Sequence, residues 1–435
     1  MRCCLPIVRC CCVTLVFGST IAWSQEQLGT KEDLTKAFTK DSPRLTKLFS
    51  GEEQATNADK KLADAAAQWY IYRITHLTWP MLTHEKVQGD FNSLANTSAT
   101  RNNRAFINLF GPALVASMKE VLSANKTYPT TVVHAGMMFP TMARFKQDNI
   151  SDYLVGLAQD DKTDDVTRLF ALKALRELLP VDALDEESDL DKKTLAKKAR
   201  DIKHIETLTK YIERPVKADG MHPEEVAAVR FLRREAIIAL ANAEAPAVAA
   251  LKKVGKVEGA VAPALLRVLA NNLEPTPSLP EKIEAAIGLC KMKYWNTRDD
   301  KKLKHAHMPD YQPEVAVYFV GKALSEFISE YKRDYENFGP GKGRERVPAR
   351  IPFRADAKRF EAALIDLSNN AKGSSAKALA EELKQKATPI LKGIYNYQIN
   401  LGDDQQFRDT FVTAKLRPKT GYVFKTLKLP EVPLD

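Results

Sequence analysis

The residues with the strongest chemical potential lie in one short segment, Arg298-Asp299-Asp300-Lys301-Lys302-Leu303-Lys304-His305-Ala306-His307-Met308-Pro309-Asp310. His305, His307 and Asp310 are metal-ligating residue types, and a two-residue step aims both imidazoles to one side of an extended segment. Such a set would suit a metal-dependent hydrolase. The wider pattern gives it little support, because the chain holds no H-E-x-x-H, no paired C-x-x-C and no C-x-x-C-H. Among so many lysines, an exposed loop is the more economical reading. His84-Glu85 and His134 are isolated, and a lone histidine beside a helix is more often structural or exposed than catalytic.

Other chemistries fail on spacing. Gly339-Pro340-Gly341-Lys342-Gly343 resembles a phosphate loop only superficially: it lacks the G-x-x-x-x-G-K-[ST] spacing and follows a helical pattern rather than a strand. No G-x-S-x-G elbow supports an esterase. The basic run that follows is the one segment with a binding chemistry. Lys342, Arg344, Arg346, Arg350, Arg354, Lys358 and Arg359 stand against Glu345 and Asp356 alone. Guanidinium forks suit carboxylates and phosphates, so acidic polysaccharide, an anionic lipid surface or an acidic protein patch are the candidate partners. The competing reading is a solvated loop whose charges pair locally. Few aromatics interleave beyond Phe353 and Phe360, which makes nucleic acid a poor partner.

The N-terminus constrains the rest. Arg2 and Arg9 flank an apolar run from Cys10 to Ala22, and Ala22-Trp23-Ser24 places small residues where an export signal is cut. The run is shorter than the ~20 apolar residues of a membrane span. A cleaved signal over residues 1–24 and an exported protein, periplasmic or secreted, are therefore expected, with an uncleaved anchor as the alternative. No transmembrane span is expected after its removal. Five of the six cysteines leave with the signal, so Cys290 remains and no disulfide can form within the mature chain. Losing Arg2 and Arg9 also lowers the net charge from +10 to +8. Cys290 closes the apolar run Ala285-Ala286-Ile287-Gly288-Leu289, which suggests a buried core thiol rather than a nucleophile.

Helical periodicity runs through most of the chain. Residues 25–56 read as a flexible polar lead-in that docks one short helix, its weak pattern broken at Pro43, and 57–77 as a strong aromatic-rich helix ended by Trp79-Pro80. Arg104 to Leu109 reads as one helix and Gly111-Pro112-Ala113-Leu114 as the start of its partner. The layout of helix, Gly/Ala-Pro-Ala and helix recurs at Pro246 and Pro263. Asp164 reads as the cap of a helix over Val166–Leu179. Helices are further predicted over 313–335, 355–367 and 375–397, and an extended tail from Gln405, with room for a short hairpin.

The most regular stretch, Met221 to Lys293, carries Glu224-Glu225-Val226, Arg233 to Leu240, Ala245 to Leu251, Ala262 to Leu269 and Glu284 to Leu289. These short helices with one small-residue face resemble HEAT-type repeats, of the armadillo-like α-solenoid kind. The resemblance spans Arg101 to Tyr335. Its repeat length varies, long insertions intervene, and the usual Asp after the first helix of each pair is missing. It implies an all-α fold: an irregular α-α superhelix over 57–336, a basic loop with C-terminal helices over 337–404, and the tail over 405–435. It also implies a curved scaffold that binds partners without chemistry of its own. The expected function is thus an exported, non-catalytic binding or scaffold protein, needing no cofactor, whose partner is another protein or an acidic cell-surface polymer.

Overall fold

The N-terminal segment forms one 20-residue helix where a short docked helix broken at Pro43 is expected. The computed structural model describes residues 27–76, 84–101, 104–125, 128–179, 192–244, 247–249, 257–292, 313–338, 347–371, 374–398 and 405–416. It opens with α1 (Lys31–Ser50), which continues through Pro43. The Thr30 hydroxyl caps it by accepting the Asp33 N–H at 3.1 Å. Gly51, at φ 75°, closes it in the left-handed conformation that glycine adopts without a Cβ penalty. Proline removes one helical hydrogen bond. Leu34, Leu45, Leu48 and Phe49 are all buried and hold the helix in place despite that loss.

The protein is all-α, with one two-stranded ribbon among the described residues. It divides into two compact units. The first, residues 1–178 and 220–229, contains α1, α2 (Lys60–Tyr72), α3 (His84–Arg101), α4 (Arg104–Ala124), α5 (Pro129–Ala143), α6 (Asp148–Gln159) and α7 (Asp165–Glu177). Within it α2 packs on α4, α5 on α7, and α6 on both α4 and α7. Phe110 gathers Phe49, Tyr70, Phe106 and Phe145 around itself. At the cap of α7, the Asp164 carboxylate accepts the Thr167 N–H at 2.9 Å, as its position predicts.

Gly111-Pro112 does not separate two helices: α4 runs through it. Gly111 is buried against α6 and its preceding turn, where a Cβ would come within 3.0 Å of Asn149. Pro112 and Asn108 both lie on the exposed side, so the carbonyl that loses its helical donor faces water. By length and composition α4 could cross a membrane, yet 56% of its apolar window is buried inside the fold.

The second unit, residues 179–219 and 230–435, holds α8 (Lys192–Ile212), the part of α9 (Pro223–Ala241) from Arg230 on, β1 (Ala247–Ala249), β2 (Val257–Ala260), α10 (Val261–Leu269), α11 (Leu279–Lys291), α12 (Pro313–Phe338), α13 (Val347–Asn370) and α14 (Ser374–Tyr395). Where a helix over Ala245–Leu251 is predicted, β1 pairs antiparallel with β2, Val248 opposite Glu258. Alanine's helix preference is a weak prior that tertiary pairing overrides, and here β2 lies against α8. The three proline motifs therefore occupy different contexts: inside a helix at Pro112, just before a strand at Pro246, and in the first turn of α10 at Pro263.

At the centre lies α11, packed on α10, α12 and α13. Every residue from Glu281 to Cys290 is buried. Gly288 lets α9 approach, since a Cβ there would stand 2.6 Å from that of Ala241. Two further expectations are corrected at the C-terminal end. α13 starts at Val347, about two turns before the predicted Ala355. Instead of an extended segment, Phe407–Lys415 forms a π-helix. Its Val412 and the following Leu416 close over Gly321 of α12.

Candidate binding face and ion-paired helix junction

Charged residues at otherwise apolar positions of α9 and α11 meet inside the second unit. The Arg233 Nε donates to Glu281 Oε1 at 2.6 Å, and its Nη2 to the Pro275 carbonyl at 2.6 Å. Glu281 in turn accepts the Ser278 N–H at 2.6 Å and the Ser278 hydroxyl at 2.7 Å, fastening the start of α11. One turn on, Glu284 receives Arg234 of α9 at 2.6 Å and Arg359 of α13 on both carboxylate oxygens. Arg359 also reaches Asp356 at 2.9 Å. On the far side of α11, Lys282 pairs with Glu326 of α12 at 2.6 Å.

These contacts set the protonation states. Burial pushes Glu284 up, but the hydrogen bonds from Arg359 and Arg234 outweigh it and hold the carboxyl below its usual range. Burial dominates at Asp356, which is raised despite Arg359 beside it. Desolvation would lower Arg359, yet Glu284 and Asp356 raise it. Desolvation likewise lifts the fully buried Cys290 thiol well above its ordinary value, so it carries no thiolate for nucleophilic attack. A carboxylate pinned by two guanidinium groups is equally ill placed to move a proton. The junction ties four helices together; it is not an acid–base pair.

The sequence-derived binding residues separate here. Arg359 turns inward to Glu284 and Asp356. Arg354 and Lys358 are exposed on α13. Arg350 lies in the first turns of the same helix, its side chain outside the described set, while Arg344 and Arg346 precede the described part of this segment. His305, His307 and Asp310 also lie outside the described residues. Among those described, no group of three or more His, Cys, Asp or Glu is gathered that could hold a metal ion.

Sequence reading missed both the junction and the shape of the outer face. The Ser278-x-x-Glu281 spacing was the available signal for the capping box. For the face, it was helical periodicity carried back to Val347. The inward side of α13 packs Phe360, Leu364 and Leu367, with Phe327 of α12 5.5 Å from Phe360. The outward side presents Ile351, 63% exposed, and Ile365, 48% exposed, together with Arg354 and Lys358. At 100° per residue these four fall within about 60° of arc and span roughly 21 Å along the axis. The Lys358 ammonium stands 6.0 Å from the Tyr395 ring of α14.

A separate open groove of about 440 Å³ lies between α14 and the π-helix, lined by Pro389, Ile390, Phe407 and Phe411 among others. Its size suits a small ligand, but Lys415 and Glu382 at its rim pair with each other, and the remaining lining mixes Gln385, Lys386 and Gln406 with the four apolar residues. Compared with known proteins, the chain matches no family model, no curated protein and no solved structure.

Proposed function

We propose that this is an exported, non-catalytic binding or scaffold protein, built on stacked helix pairs that resemble HEAT repeats. Its partner is another protein or an acidic cell-surface polymer, met by the basic run that begins at Arg344 and continues along α13. The observation that supports this reading is the outward arc of α13, where Arg354 and Lys358 are exposed while the neighbouring Arg359 is bound to buried acids. The helix thus divides its cations between holding the fold and facing solvent.

Chromatography of the mature protein on heparin tests the reading. Wild type should be retained, and the triple variant Arg346→Ala, Arg350→Ala, Arg354→Ala should elute at lower salt, since each phosphate- or sulfate-facing cation adds to the salt dependence. Unchanged elution would end the proposal. Metal analysis tests its non-catalytic half: stoichiometric zinc that disappears on His305→Ala, His307→Ala substitution would favour a hydrolase instead.

A further inference from the structure

The cations on the α13 arc do not stand alone. Among the described residues only three large apolar side chains are exposed, and two of them, Ile351 and Ile365, share this arc with Arg354 and Lys358. Ala362 and Ala355, both exposed, continue the face by about 20° and 40° beyond Ile351. A binding face for a hydrated polysaccharide gains nothing from isoleucines. A lipid bilayer surface gains from both kinds of residue: isoleucines enter the boundary between headgroups and acyl chains, and cations attract anionic headgroups. Long basic side chains flanking short apolar ones are suited to that depth difference, because Arg and Lys keep their charges in the headgroup layer while their stems lie along apolar surface. One exposed acid, Asp366, sits at the edge of the arc, about 60° from Ile351 and 100° from Ile365.

We infer that the outward face of α13 docks on an anionic phospholipid bilayer, with Ile351 and Ile365 inserted and Arg354 and Lys358 on the headgroup phosphates. This rests on the binding role proposed above for the same face, and it replaces a protein or a cell-surface polymer with a membrane as the surface recognised.

Co-sedimentation of the full mature chain with vesicles, either neutral phosphatidylcholine or containing about one-third phosphatidylglycerol, tests the inference. Wild type should bind the anionic vesicles, weaken with salt, and leave the neutral ones in solution. Arg354→Gln with Lys358→Gln should weaken binding about thirtyfold, from roughly fivefold per cation at a charged surface. Ile351→Ser with Ile365→Ser should weaken it about tenfold or more while leaving heparin retention unchanged. All four positions are exposed, so thermal unfolding of both variants should match wild type. Heparin retention without vesicle binding would overturn the bilayer and leave the polyanion reading standing. Vesicle binding indifferent to the isoleucines would also overturn it, as would a dimer that dissociates on Ile351→Ser, Ile365→Ser substitution. Wild type that binds neither heparin nor anionic vesicles would sink both readings.

Discussion

Arg233 and Arg359 each bind a buried glutamate, but they differ in what their removal leaves behind. Without Arg233, Glu281 keeps only its Ser278 bonds at a site with no exposure, and the Pro275 carbonyl loses its donor. Without Arg359, Glu284 still has Arg234, and the lost side chain was 41% exposed. We therefore expect Arg233→Ala to cost about 3–5 kcal/mol and Arg359→Ala only about 1 kcal/mol; urea unfolding giving the reverse order would refute this ranking. Glu284→Gln should be pH-dependent in a definite sense. Its carboxyl is held below the unfolded value, so its stabilisation is complete above that value and lost as pH falls through the lower, folded one. The gap between wild type and Glu284→Gln should thus close in acid. Asp356, raised in the fold, contributes in the opposite sense. Of these residues only the local ones were legible in advance: the Asp164 cap has its partner three residues away, whereas Arg359 and Glu284 are 75 residues apart and no spacing rule connects them.

At the scale of elements, two glycines in helices make opposite predictions. Gly288 sits where α9 meets α11, so Gly288→Val should cost about 1–3 kcal/mol by overpacking. A Cβ at Gly89 in α3 would meet nothing within 4 Å, so Gly89→Ala should stabilise by about 0.5–1 kcal/mol. Thermal melts of the two variants shifting in the same direction would contradict this packing. Periodicity revealed most helices because it depends only on which residues seek the core. It failed at prolines and alanines. Pro43 and Pro112 suggested ends of helices that instead run through them. Ala247–Ala249, helical by composition, joins a ribbon because Val257–Ala260 is there to pair with it. Local preference is worth less than either effect.

For the whole molecule, the division into two compact units predicts where a perturbation is felt. Arg233→Ala should lower amide protection in α11 and α12 while leaving α2 and α4 near wild type, as hydrogen exchange with mass spectrometry would show. Equal loss of protection throughout would mean that the chain unfolds as one cooperative body. The all-α class was readable from the sequence, since nearly every segment keeps a helical rhythm. The regularity suggested by recurring Gly/Ala-Pro-Ala motifs was not, because similar words occur in a long helix, before a strand and in a first turn. The unbroken burial of α11 from Glu281 to Cys290 has a further consequence for how sequence change is tolerated. In α13, acceptable substitutions should recur every three to four residues, following its solvent side. From Glu281 to Cys290 there is no such side, so this segment should accept few changes at any position and show no helical rhythm at all in its mutational tolerance.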